Sequence, residues 1–145
     1  MQIVIDTEFN GFLGELISMA LVSEDGQEFY EVLEPVNQID PWVQHYVLPK
    51  LGKYPIEGRE FVNKLSSYLN SFSDITVIAD WPEDIKHLCD QLLIGPGQRM
   101  PLPEAGIKFE IRLDLPSTAV TSRNPHNALE DARSIARHLG WKVND

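Results

Sequence analysis

Four acidic side chains and one histidine fall at three places where a regular element is expected to begin or end. Asp6 and Glu8 follow an apolar opening segment, and residues two apart on a strand project to the same side. Asp84 falls in the expected first turn of a helix that follows a second apolar segment. His126 and Asp131 flank the expected start of the last helix. Each place alone also fits a solvated strand end or a charged helix start.

Together, these five residues indicate phosphoryl chemistry assisted by divalent cations. Carboxylates that crowd one another have raised pKa values unless cations neutralise them. Oxygen ligands without cysteine suit Mg²⁺ or Mn²⁺ rather than structural zinc. Two such ions about 3.5–4 Å apart stabilise both the attacking and the leaving oxygen of an in-line displacement at phosphorus. The histidine, with a pKa near neutrality, can deprotonate the attacking water as a general base.

The overall charge argues against an ordinary nucleic-acid-binding surface, which is usually basic. The net charge is −10, and the first 49 residues contain nine Asp or Glu and no Lys or Arg. Most of these carboxylates belong to a solvated acidic surface, but bound cations would reverse the sign of the local field. Neither a GxGxxG nor a P-loop pattern occurs, so a glycine-rich phosphate cradle is not expected.

Length and composition predict one folded domain over residues 1–145. Hydrophobic residues make up 43% of the chain, enough for a core, and no run of 18 apolar residues occurs. The first residues lack the basic and apolar regions of a secretory signal. The single cysteine, Cys89, cannot form an internal disulfide, which is compatible with a reducing compartment. We therefore expect a cytoplasmic protein.

The pattern of apolar residues predicts an α/β fold with a mixed sheet flanked by helices. Segments 1–6, 15–22 and 27–33 read as an antiparallel meander, with an Asp-Gly turn before the third. Later segments alternate between helix and strand, which favours parallel pairing. Helices are predicted over 41–51, 57–72, 81–93 and 127–139, strands over 75–79 and 108–113, and a loop over 94–106. Asn127 is expected to cap the last helix, with Glu130 as its capping-box partner.

The ordered set of acidic residues resembles the DEDDh exonucleases, a branch of the ribonuclease H-like fold that includes ribonuclease T, oligoribonuclease and the proofreading exonucleases of DNA polymerases. Asp6 and Glu8 match the first motif, Asp84 the second, and His126 with Asp131 the third. The resemblance implies a 3′→5′ exonuclease in which the four acids bind two Mg²⁺ ions and His126 is the general base.

A closer resemblance is to the small exoribonucleases of the RNase AS family. It covers nearly the whole chain, though it is weak in the middle, and it rests on segments 6–9, 15–18, 24–30, 47–51 and 126–133. Members degrade RNA from the 3′ end, with a leaning toward adenylate-rich tails, and are dimers. The resemblance therefore implies that this chain removes nucleotides from single-stranded RNA as a homodimer.

This chain departs from the wider pattern at its second motif, where an asparagine usually lies four residues before the aspartate and an aromatic residue just before it. Asp80 and Glu83 occupy those positions. Asp80 is therefore an alternative to Asp84 as the aspartate of the motif, although we favour Asp84.

Several other residues and functions stay open. Thr7 and Phe9 are candidates for substrate contact, since Phe9 can either stack on the terminal base or belong to the core. Trp42 and Trp81 are either stacking platforms or packing residues, and Arg133 either binds phosphate or flanks a solvated helix. The alternatives to an exoribonuclease are a DNA exonuclease, a catalytically silent nucleic-acid-binding or protein-binding domain of the same fold, and an acidic interaction module without metal.

Overall fold

The chain opens with three consecutive strands that form the predicted antiparallel meander. In the computed structural model, which describes residues 1–144, these are β1 (Gln2–Phe9), β2 (Leu16–Ser23) and β3 (Glu28–Val32). Gly26 in the predicted turn has a φ of 90°, a conformation that glycine adopts without steric cost. β1 continues three residues past its predicted end, because residues 7–9 keep pairing with β2. Asp6 and Glu8 therefore lie within the strand.

The middle of the chain largely follows the prediction. The helix predicted over 41–51 is shorter: α1 (Pro41–Tyr46) ends before a 3₁₀ turn (Leu48–Lys50). Pro49 lacks an N–H and its ring clashes with the preceding turn, so an α-helix cannot continue through it. The next three elements are confirmed as α2 (Gly58–Leu69), β4 (Ile75–Ala79) and α3 (Pro82–Leu92).

The region after α3 contains more regular structure than predicted. The expected loop 94–106 includes most of a small hairpin, β5 (Leu93–Gly95) and β6 (Gln98–Arg99), whose turn is made possible by the positive φ of Gly97. The hairpin strands are too short to show a hydrophobic pattern. β7 (Ile107–Ile111) and α5 (Ala128–His138) were predicted, and the one-turn α4 (Thr118–Thr121) was not.

The main sheet is mixed, with the strand order β3-β2-β1-β4-β7. β1 pairs antiparallel with β2 and parallel with β4, and β4 pairs parallel with β7. The predicted mixed α/β fold is confirmed. β1 is central, so its end lies close to the start of α3, which follows β4 directly.

The core lies on both faces of this sheet. On one face, Ile3 and Ile5 of β1 pack in a cluster with Phe61 of α2 and Leu88 of α3. On the opposite face, Val4 packs with alanines of α5. Within residues 1–144, no helix is long and apolar enough to cross a membrane.

Candidate active site

Alternation along β1 sends its functional side chains to two different helices. Val4, Asp6 and Glu8 share one face of the strand, and Val4 packs against α5. Ile5, Thr7 and Phe9 share the other face, and Ile5 packs in the cluster that contains Leu88 of α3. The end of β1 is therefore positioned between the first turns of α3 and α5.

Thr7 holds Asp84 in place from the strand. The Thr7 hydroxyl donates to Asp84 Oδ1 at 2.6 Å, and the Thr7 amide donates to the same oxygen at 3.1 Å. Asp84 lies in the first turn of α3, as predicted, and is 2% exposed. Thr7 is itself buried, so the structure shows a role in orienting Asp84, and the predicted contact between Thr7 and substrate stays a prediction.

The loop before α5 positions His126 and Asp131. Asn127 Oδ1 accepts from the Glu130 amide at 3.0 Å, which confirms the predicted cap. The reciprocal half of the capping box is absent from the described residues, because Glu130 instead pairs with Arg133 at 2.6 Å. His126 lies outside the helix with a φ of 72°, and its amide donates to Asp131 Oδ2 at 3.2 Å.

Five carboxylates meet where these elements converge. One oxygen from each of Asp6, Glu8 and Asp131 lies within 4.8 Å of the other two. The same limit holds for one oxygen from each of Asp6, Asp80 and Asp84. All four acids predicted from the sequence as metal ligands are therefore brought together, and Asp80 joins them.

Burial is the main cause of raised pKa values throughout this cluster. It raises the pKa of Asp6 well above its usual value, and the charges of Asp84 and Glu8 raise it further. The pKa of Glu8 rises to about 8 through burial and the charge of Asp131. Burial raises the pKa of Asp84 to about 8 despite the opposing hydrogen bond from Thr7. For Asp131, burial raises the pKa to about 6, opposed by hydrogen bonds.

The cluster has the properties of a site for divalent cations. Oδ2 of Asp6, Oδ2 of Asp84 and Oδ1 of Asp131 are buried and accept no hydrogen bond from the residues that the structure describes. Buried acceptors usually have partners, so such oxygens require an explanation. Hard oxygen ligands of this kind fit Mg²⁺ or Mn²⁺. The donor set therefore fits the metal ions that the sequence predicts.

The acidic cluster opens into a cleft of about 840 Å³ that aromatic side chains border. Trp42 of α1 and Trp81 before α3 line this cleft, with exposed fractions of 52% and 55%. The Trp42 ring contacts His126 edge-on at 5.3 Å between centroids. Sequence reasoning left both tryptophans open, because nothing local places residue 42 beside residue 126.

Phe9 occupies a position between core and cleft. Its ring stacks on His87 of α3 at 4.9 Å, and it also lines the cleft. A stacking role on the substrate base remains a prediction. Segment 113–118 also lines the cleft with Leu113, Leu115, Ser117 and Thr118, which sequence reasoning missed because the segment carries no motif.

Arg133 does not extend into the cleft as a free phosphate ligand. Its guanidinium donates to both carboxylate oxygens of Glu28, at 2.7 and 3.1 Å, and to Glu130. The side chain is 15% exposed. A bidentate pair of this type ties the first turns of α5 to β3, so Arg133 stabilises the packing of α5 against β3.

Comparison with known proteins identifies relatives along almost the entire chain. No model of a known protein family matches it. Two curated proteins of Mycobacterium tuberculosis, from strains H37Rv and CDC 1551 and both named 3′-5′ exoribonuclease, are 30% identical to it over 156 residues. The similarity covers 96% of this chain and 91% of each relative. The chain therefore belongs to the family of 3′-5′ exoribonucleases that these mycobacterial proteins represent.

Proposed function

We propose that this protein is a metal-dependent 3′→5′ exoribonuclease of the DEDDh type, with a ribonuclease H-like fold formed by a single domain over residues 1–145. It removes nucleoside 5′-monophosphates from the 3′ end of single-stranded RNA. The observation that carries this proposal is the buried carboxylate cluster around Asp6, with His126 at the border of the same cleft. The family membership and the open cleft support an RNA strand as the substrate.

The acidic cluster would hold two Mg²⁺ ions, for which Mn²⁺ can substitute. The proposed ligands are Asp6, Glu8, Asp84 and Asp131. When bound, the two ions would neutralise charge that develops on the attacking and leaving oxygens at phosphorus. The raised pKa values of these acids show that the metal-free site favours protons, so metal ions and protons compete for it.

His126 is proposed as the general base for the attacking water. The imidazole would take a proton while the water oxygen bonds to the terminal phosphorus. The bond from phosphorus to the 3′ oxygen of the preceding nucleotide then breaks, releasing a nucleoside 5′-monophosphate and a shortened RNA. The edge contact with Trp42 and the hydrogen bond from the His126 amide to Asp131 Oδ2 limit how far the imidazole and its backbone can move.

The aromatic border of the cleft supports binding of unpaired bases. The exposed rings of Trp42 and Trp81, together with Phe9, offer faces on which bases can stack. Stacking accepts any base, and each base contributes roughly 1–3 kcal/mol. A preference for adenylate-rich tails rests on the family resemblance. A cytoplasmic location is also part of the proposal, and the single cysteine, Cys89, is compatible with it.

A homodimer is part of the proposal, and β7 offers a self-complementary surface for it. β7 is the edge strand of the main sheet, and Phe109 and Ile111 are exposed there. In antiparallel pairing of two copies centred on Phe109, Lys108 of one copy would face Glu110 of the other. Such an arrangement is isologous and pairs opposite charges across the strands.

Degradation of a 5′-labelled single-stranded RNA tests the proposed activity. The expected result with Mg²⁺ is a ladder that shortens from the 3′ end, is absent with EDTA and is lost in an Asp6→Ala variant. The same assay on DNA of equal sequence determines whether the 2′-hydroxyl is required. If no metal supports shortening of either polymer, the exonuclease proposal fails and the silent binding domain takes its place.

A further inference from the structure

Asp80 has no assigned role in the proposed reaction, yet the sheet places it in the acidic cluster. β1 and β4 pair in parallel, with Val4 opposite Ile78. β4 ends at Ala79 and Asp80 follows it directly, where one of its oxygens lies within 4.8 Å of an Asp6 oxygen. Asp84, four residues later in the first turn of α3, lies in the same acidic cluster.

The five carboxylates divide into two trios that share one member. The first trio is Asp6, Glu8 and Asp131, and the second trio is Asp6, Asp80 and Asp84. Within each trio, the three closest oxygens lie within 4.8 Å of one another. An oxygen-ligated cation takes several such donors at short range, and two cations about 3.5–4 Å apart are close enough for one carboxylate to bind both. The trios provide both, with Asp6 as the shared carboxylate.

Two members of the second trio have buried oxygens without partners. Asp6 is 7% exposed and Asp84 is 2% exposed, and Oδ2 of each accepts no hydrogen bond from residues 1–144. An oxygen of Asp80 lies within 4.8 Å of one oxygen of each of these two carboxylates. Asp80 therefore adds repulsion to the cluster, which a bound cation would convert into attraction.

We infer that Asp80 is a ligand of the second divalent ion, together with Asp6 and Asp84. The inference rests on the proposed two-metal function and extends it to a residue at which this chain departs from the usual asparagine. A third carboxylate would strengthen binding of this ion before any RNA phosphate is present. The second ion therefore binds the free protein rather than only its complex with substrate.

Glu83 provides a matched control for the loss of one charge. It lies three residues from Asp80, in the first turn of α3, and lines the same cleft. Glu83 belongs to neither trio, and its Oε1 accepts from the indole N–H of Trp81 at 3.1 Å. Glu83→Gln therefore removes a nearby negative charge without removing a proposed ligand.

Titration of the full chain with Mn²⁺ in the absence of RNA tests the inference. Calorimetry and the paramagnetic resonance signal of free Mn²⁺ measure how many ions bind and how tightly. We expect two ions per wild-type chain. Asp80→Asn should lower the affinity for one ion by about tenfold or more and leave the affinity for the other unchanged. It should also raise the Mg²⁺ concentration that gives half-maximal activity. Glu83→Gln should retain both affinities.

The outcomes separate the inference from the function on which it rests. Two unchanged affinities in Asp80→Asn, or a wild-type chain that binds one ion, would overturn the role of Asp80 while leaving a metal-dependent nuclease intact. A wild-type chain that binds no Mn²⁺ would overturn the metal-dependent function itself. Thermal unfolding without metal should show Asp80→Asn to be at least as stable as wild type, because the substitution removes repulsion.

Discussion

His126 combines an unusual backbone conformation with a position at the edge of the cleft. Its φ of 72° is uncommon for a residue other than glycine, and such strain often accompanies functional sites. The loop before α5 places the imidazole in edge contact with Trp42. Position and strain together fit a side chain that acts on the substrate rather than one that stabilises the fold.

Replacement of His126 should separate catalysis from metal binding. We expect His126→Ala to lower the rate of RNA shortening by roughly 10²–10⁴-fold, the usual contribution of a general base. Mn²⁺ affinity should stay near the wild-type value, because His126 lies in neither carboxylate trio. Single-turnover kinetics and metal titration measure the two effects. His45→Ala, on the exposed side of α1, is the control, and equal rates for both variants would contradict the assignment.

Asp84 should make the metal-free protein less stable as pH rises. Its pKa in the folded protein is raised from 3.8 to about 8, so the folded state binds this proton more tightly than the unfolded state does. The stabilisation that this proton gives the folded state is fully present below about pH 4 and is lost progressively as pH rises to about 8. Neutral Asn retains an acceptor for Thr7 and carries no charge, so it avoids this loss.

Thermal unfolding of Asp84→Asn in EDTA tests the direction of this pH dependence of stability. At pH 8 the variant should unfold several degrees above wild type, since each kcal/mol corresponds to roughly 2–4 °C in a domain of this size. At pH 4 the difference should nearly disappear. Saturating Mg²⁺ should stabilise wild type more than the variant. A variant that is less stable than wild type at pH 8 would show that the ionised Asp84 carboxylate does not destabilise the metal-free folded protein as expected.

Among the secondary-structure elements, α5 depends most clearly on one polar side chain. Asn127 caps the helix through Oδ1, while its Nδ2 donates to the carbonyls of Lys50 and Leu51 at 2.8 and 3.4 Å. The side chain thereby links the start of α5 to the segment that follows α1. Because His126 precedes Asn127, this link also fixes the loop that presents the imidazole beside Trp42.

Asn127→Ala should therefore affect both stability and catalysis. Loss of the cap alone costs about 1 kcal/mol, with a range of roughly 0.5–2 kcal/mol. Asn127→Ser keeps a capping oxygen but cannot reach the two carbonyls, so it should recover stability while kcat stays low. Urea unfolding and RNA kinetics on both variants distinguish the effects. If serine restores kcat as well, the link to residues 50 and 51 does not position His126.

At the scale of the whole molecule, we expect the proposed dimer to form through the edge strand β7. Its sequence Ile-Lys-Phe-Glu-Ile is self-complementary in antiparallel pairing, with an apolar residue at the centre and at both ends. Lys108→Glu would place like charges opposite each other at two positions of the interface. The combined substitution Lys108→Glu with Glu110→Lys restores opposite charges in the reversed order.

Light scattering after size-exclusion chromatography measures this effect. Wild type should be dimeric, Lys108→Glu should shift toward monomer with at least about a tenfold weaker association, and the double substitution should recover the dimer. Recovery is the informative result, because a general loss of solubility or folding would not be repaired by a second charge reversal. A dimer that is insensitive to both variants would place the interface elsewhere.

Local sequence was sufficient for the parts of the fold that depend on neighbouring residues. The Asp-Gly turn predicted the β2–β3 hairpin, and Asn127 predicted the start of α5, because turns and caps form within a few residues. Asp6 and Glu8 were predicted to share a face because strand alternation is a local property. Short elements such as β5, β6 and α4 were missed, because a few residues cannot display a period.

Tertiary structure decided which of these residues meet. The parallel pairing of β1 with β4, which Asp80 follows, brings Asp80 close to Asp6, and the hydrogen bonds from Thr7 orient Asp84 across 77 residues of chain. Burial between the sheet and the helices raises the pKa values of the acids, and the sequence motifs do not reveal that burial. The sequence by itself therefore determined the chemical types at the site. Their grouping, orientation and charge state required the folded sheet, because all three depend on contacts between distant segments.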